Sequence, residues 1–81
     1  MRRECLEELI NGNRDIEFKF HGKWYSITCY NDNRENYISV CRFYHKPTDV
    51  KSVEELLRLS IEDFTLEEII EALPDSAFII Y

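Results

Sequence analysis

Apolar residues recur along this chain with two periods, and the change from one to the other marks its elements. In residues 3–10, Cys5, Leu6, Leu9 and Ile10 share one helical face by the i, i+3, i+4 spacing, while Glu4, Glu7 and Glu8 face water. Asn11-Gly12-Asn13 tolerates positive φ and ends this helix, which is too short to persist without docking on something. From residue 15 the period becomes two. Ile16, Phe18 and Phe20 alternate with Glu17 and Lys19, the pattern of a half-buried strand. His21-Gly22 reads as a two-residue hairpin turn, with Gly where φ must be positive. That turn puts Ile16 opposite Ile27 and Phe18 opposite Tyr25 on the core face, and Glu17 opposite Ser26 and Lys19 opposite Trp24 on the other. A one-residue slip would invert one strand, so the agreement of the two patterns fixes the register.

Asn31 to Asn36 holds no apolar residue and predicts a turn. A third strand runs from Tyr37 to Tyr44, with Ile38, Val40, Arg42 and Tyr44 on one face and Tyr37, Ser39, Cys41 and Phe43 on the other. Either set is apolar enough to face a core, so the buried face stays open. Ser52 with Glu55, and Thr65 with Glu68, have capping-box spacing and predict two helix starts. Phe64 and Ile69 add the spacing of a hydrophobic staple, Leu66, Ile69, Ile70 and Leu73 form a stripe, and Pro74 stops the second helix. Ala77 to Tyr81 is an apolar run of strand length, buried or facing a partner. The order αβββααβ predicts one α+β domain over residues 1–81: a three-stranded antiparallel meander plus a C-terminal strand, with helices on one face.

Composition narrows the class. The chain has 81 residues, 44% hydrophobic and 32% charged with two Gly and two Pro, a balance that disfavours disorder and low complexity. No apolar run approaches the roughly 20 residues that span a bilayer, so no membrane association is expected. Charges at Arg2, Arg3, Glu4, Glu7 and Glu8 leave no signal-peptide core. Three Cys without a Cys-x-x-Cys suggest a reducing, cytoplasmic setting without a disulfide framework.

Charge is uneven. Residues 1–48 carry eight Lys/Arg and seven Asp/Glu, whereas residues 49–81 carry two basic residues against nine acidic ones; the chain's net charge is −6. Without a basic patch, direct nucleic-acid binding is not expected. The acidic half suits a protein partner with a basic surface, including one that ordinarily holds nucleic acid; it equally suits simple solubility. Glu67 and Glu68 in a first helical turn are explained by the helix dipole alone.

Catalytic and metal chemistry find little footing. Cys29, Cys41, His21 and His45 are zinc-ligand types, but Cys41 and His45 on an extended strand lie about 13 Å apart, and only a bend near Pro47 would join them. Cys29 falls on the core face, and both His lie in turns away from any nucleophile and orienting carboxylate. No cofactor, metal site or enzymatic activity is expected. The aromatic residues are more informative: Trp24 and Tyr30 share the non-core hairpin face with Lys19, and exposed Trp and Tyr are enriched at protein–protein hot spots. They can also simply pack within the fold.

The hairpin from Glu17 through Gly22 to Ile27, and the segment Ile61-Glu62-Asp63-Phe64-Thr65-Leu66-Glu67-Glu68-Ile69-Ile70, resemble phrases that recur in small uncharacterised proteins of Firmicute phages and mobile elements. The resemblance implies a protein that binds and blocks a host machine such as a restriction or CRISPR effector, and it brings no catalytic residues. The leading expectation is an acidic binding module, an inhibitor or modulator of anti-defence type. Glu62, Asp63, Glu67, Glu68 and Glu71 would supply its electrostatics, and Trp24 and Tyr30 its anchors. The alternative is a self-associating assembly protein that pairs Ala77–Tyr81 across a two-fold axis as a homodimer.

Overall fold

The hairpin register predicted above holds residue for residue in the computed structural model, which describes residues 1–32 and 35–81. Ile16–Phe20 (β1) and Lys23–Asp32 (β2) are joined by His21 and Gly22, whose φ values of 51° and 76° are those of a type I′ turn. Glu35–Arg42 (β3) continues the meander, with Ile27 opposite Val40 and Cys29 opposite Ile38. That pairing puts Ile38 and Val40 in the core. Part of the segment predicted as a turn, Asn31 to Asn36, is strand instead: Asn31 pairs with Asn36 and Asp32 with Glu35, and residues 33 and 34 lie outside the described residues.

Two additions complete the sheet. Thr48–Val50 (β4) pairs with β3, and Phe78–Ile80 (β7) pairs antiparallel with β1, giving the five-strand order β4-β3-β2-β1-β7. The C-terminal segment is therefore an edge strand of its own sheet. Between Cys41 and His45 the chain turns sharply, with Tyr44 at φ 68° and the His45 amide donating to the Arg42 carbonyl at 2.9 Å. Cys41 Sγ thus lies 3.0 Å from the His45 carbonyl oxygen. The extended separation expected for this pair is wrong: a left-handed residue before Pro47 supplies the bend.

Arg3–Asn11 (α1), Val53–Arg58 (α2) and Leu66–Ala72 (α3) cover one face of the sheet. Leu6, Leu56, Leu66, Ile69 and Ile70 are essentially inaccessible there and meet Ile16, Phe18 and Ile27 from the sheet. Cys5, expected on the packed face of α1, is exposed instead, because the helix docks along Leu6 and Ile10. Helix α1 ends with Asn13 at φ 55° and the Arg14 amide on the Leu9 carbonyl, so Asn rather than Gly12 takes the left-handed position. No helix is long and apolar enough to cross a membrane among the described residues.

The two predicted caps differ. Thr65 and Glu68 form a reciprocal box: Thr65 Oγ1 accepts from the Glu68 amide at 3.2 Å, and Glu68 accepts from the Thr65 amide at 2.9 Å. Ser52 accepts from the Glu55 amide, but the Glu55 carboxylate accepts from the Lys51 amide, one residue early. Thr65→Ala is therefore expected to cost about 1 kcal/mol, more than Ser52→Ala, in urea unfolding. Equal losses would contradict the difference in geometry.

Ser60–Ile61 (β5) and Phe64–Thr65 (β6) form a second small hairpin, not anticipated from the sequence. Its turn residues, Glu62 and Asp63, have φ values of 52° and 71°, a type I′ turn without glycine. Phe64 packs edge-on against Phe20 at 5.8 Å and His21 at 5.9 Å between ring centroids. The two hairpin turns thereby lie against one another.

Candidate protein-binding surface

The acidic residues singled out in the sequence separate into engaged and unengaged groups. Glu62 accepts from Lys23 Nζ at 3.0 Å and from the Tyr25 hydroxyl at 2.9 Å, with His21 Nδ1 at 3.8 Å. These partners, Lys23 foremost, hold the Glu62 carboxyl below its ordinary value of 4.5, while burial and then Glu62 push the Tyr25 hydroxyl up. The Glu68 carboxyl is lowered by the hydrogen bonds of its cap. Glu67 lies 3.9 Å from Arg3, which also bonds Glu7 at 3.0 Å and stands 3.9 Å from Glu54. Arg3 thus offsets charge where the three helices meet. Asp63 and Glu71 are exposed and make no side-chain hydrogen bond or ion pair among the described residues.

Since the Glu62 pKa is lower in the folded state, its contribution is present above about pH 4.5 and is lost as pH falls through the folded value. Glu62→Gln should lower the melting temperature at pH 7, and the gap from the parent should close towards pH 3. A gap constant with pH would contradict the role of this carboxylate.

The aromatic residues lie elsewhere. By strand alternation Trp24 and Tyr30 are on the helix-free face of the sheet, because Tyr25, Ile27 and Cys29 point to the helices. Trp24 is tilted against Phe43 at 6.1 Å and Tyr30 stacks on Tyr37 at 5.1 Å. Between these pairs the face is polar, carrying Glu17, Ser26, Thr28 and Ser39, with the Tyr81 hydroxyl donating to Glu17 at 2.6 Å. The seven residues expected to bind a partner therefore do not form one patch: the carboxylates are on the helical side and the two anchors on the opposite side.

What the sequence did not disclose is a groove of about 680 Å³ between α1, the end of α3 and β7. Met1, Leu9, Phe78 and Ile80 give it an apolar lining, with the exposed Cys5 thiol. Glu8, Glu71 and Asp75 are its carboxylates and Arg2 its one cationic side chain. Asp75 begins a 3-10 turn, Asp75–Ala77, that leads into β7. The groove escapes a reading along the chain because it joins residues about seventy positions apart. A signal was nevertheless present, since Cys5 and Leu9 lie on the flank of α1 where the helix stripe continues beyond Leu6 and Ile10.

Of the metal-ligand types, Cys29 packs beside the core, where burial and then Asp15 raise its thiol pKa. No group of three or more His, Cys, Asp or Glu that could hold a metal ion occurs among the described residues. The chain matches no protein-family model, no curated protein and no solved structure.

Proposed function

We propose that this protein is a non-enzymatic acidic binding module that docks its helical layer on a basic surface of a partner protein and thereby inhibits or modulates it. The partner surface is one that otherwise holds nucleic acid, and the mechanism is occlusion: carboxylates stand where phosphates would. One observation supports this reading most: Asp63 in the β5–β6 turn, Glu71 at the end of α3 and Asp75 after it are exposed with no side-chain partner among the described residues, while the helices' packed sides hold the core. Such charge accelerates encounter and makes it salt-dependent. Glu62 and Glu68 serve the fold first and Glu67 is partly offset by Arg3, so the burden passes mainly to Asp63 and Glu71, joined by Asp75 and Glu8. The resemblance of the hairpin and of the 61–70 segment to small proteins of phages and mobile elements suggests a host defence effector as the target. Trp24 and Tyr30 would form a second contact surface.

Affinity capture from the source cell tests this reading. The captured protein should be lost at about 0.5 M salt and with Asp63→Lys/Glu71→Lys, and should cross-link to this chain through a lysine-rich surface. A captured protein that survives both treatments overturns it.

The alternative, self-association through β7, is favoured by the exposure of Ile79, Ile80 and Tyr81 at 43%, 43% and 59%. Light scattering over a range of concentrations separates the two readings. A strictly monomeric species excludes assembly.

A further inference from the structure

We infer that the outer edge of β7 and the groove beside it form a strand-addition site for an extended partner segment in which basic and apolar residues alternate. This rests on the acidic-module reading and places its specific contact. The backbone argument comes from register. The Tyr81 amide donates to the Asp15 carbonyl at 2.9 Å, so Tyr81 and Ile79 turn their backbone groups towards β1. In an antiparallel ladder the alternate residues, Phe78 and Ile80, turn theirs away. The Phe78 amide is taken by the Asp75 carbonyl. The Phe78 carbonyl and both Ile80 backbone groups remain directed outwards, beside no other strand among the described residues.

The sheet's two edges differ. At β4 the edge is guarded by Lys46, Pro47, Asp49 and Lys51, residues that discourage strand pairing. The sequence of β7, Phe78-Ile79-Ile80, has no such device. Phe78 and Ile80 also line the groove, so a strand added beside them would send every second side chain into the same cavity. There each Lys or Arg lays its methylene stem on Leu9 and Phe78 and brings its charge to Glu8, Glu71 and Asp75, while the intervening apolar residues lie on the other face beside the exposed Ile79. The same carboxylates disfavour a second copy: antiparallel pairing of β7 with its two-fold mate would bring two acidic rims together, each with three carboxylates against Arg2 and the Met1 ammonium. A nucleic-acid backbone would be repelled as well.

The test is a titration of the full ¹⁵N-labelled chain with an acetylated, amidated hexapeptide alternating Lys and Val, and with its Glu–Val counterpart. The Lys–Val peptide should move the Ile80, Cys5 and Leu9 amide signals most and slow exchange of the Ile80 amide several-fold; the Glu–Val peptide should do neither. Ile80→Pro removes that outward amide without touching those that bond β1, and should abolish the response at Cys5 and Leu9. Glu71→Lys/Asp75→Lys, which alters no packed residue, should weaken it about tenfold, a free-energy change of about 1.4 kcal/mol. Shifts on α2 and at Asp63 with Ile80 unmoved would overturn strand addition and leave the acidic-module reading in place. No response anywhere, or an equal response to Glu–Val, would overturn the acidic reading itself. Concentration-dependent shifts at Ile80 without peptide would give the edge to a second copy and overturn the inference.

Discussion

Replacing Phe18 by Ala is expected to remove about 3–5 kcal/mol of stability, the largest loss of any single substitution proposed for this domain. Phe18 is fully buried at the centre of β1, stacked on Tyr25 at 5.4 Å and tilted against Phe78 at 6.0 Å. It faces Tyr25 across one ladder and Phe78 across the other, so one ring joins three strands and seats β7 beside the groove. At roughly 0.05–0.15 kcal/mol per residue, a chain of this length holds about 4–12 kcal/mol in all, of which the cavity would take a large share. Phe64→Ala provides the comparison. That ring is 41% exposed, and its loss should cost about 1–2 kcal/mol because only part of its area is buried. The urea midpoints of the two variants measure the difference. Similar losses for both would mean that β7 is not held through Phe18.

The second large effect concerns binding. Glu71→Lys with Asp75→Lys should weaken association with the Lys–Val peptide about tenfold at low salt, with folding stability changed by less than about 0.5 kcal/mol. Each exposed ion pair contributes only about 0.2–1 kcal/mol, but reversal replaces two attractions by two repulsions. Both carboxylates border one groove, so the effects fall on the same ligand. At about 1 M salt, where the screening length is about 3 Å, parent and variant should bind alike. Calorimetric titration at the two salt concentrations measures this. Unchanged binding at low salt would remove the groove from the account.

Legibility of the fold followed the clarity of its patterns. The β1–β2 register was readable because both strands alternate cleanly and Gly22 marks the turn. The face of β3 was not readable from its own residues, since Tyr37, Cys41 and Phe43 rival Ile38 and Val40. The antiparallel register that pairs Asn31 with Asn36 also pairs Ile27 with Val40, and that signal was available. The Glu62-Asp63 turn was hidden by the absence of glycine. Glu62 is held there by Lys23 and Tyr25 of a distant hairpin, and Phe64 just after the turn packs on Phe20. At β4 only Val50 is buried, too little pattern to see.

Acidic character is legible in the sequence, but its placement on the fold is not. The acidic bias of residues 49–81 is a property of sequence, whereas which carboxylates stay unpaired depends on tertiary neighbours: Lys23 takes Glu62, Arg3 lies by Glu67, and Asp63 and Glu71 are left. Trp24 and Tyr30 follow from strand parity, but only the docking of the helices on the other face separates them from the carboxylates.

Displacement of a labelled oligonucleotide from the captured partner, followed by fluorescence polarisation at low salt, tests the central claim most directly. The parent protein should release the oligonucleotide in a concentration-dependent manner, and Asp63→Lys/Glu71→Lys should not. A ternary complex, with oligonucleotide and parent protein bound to the partner together, would contradict occlusion.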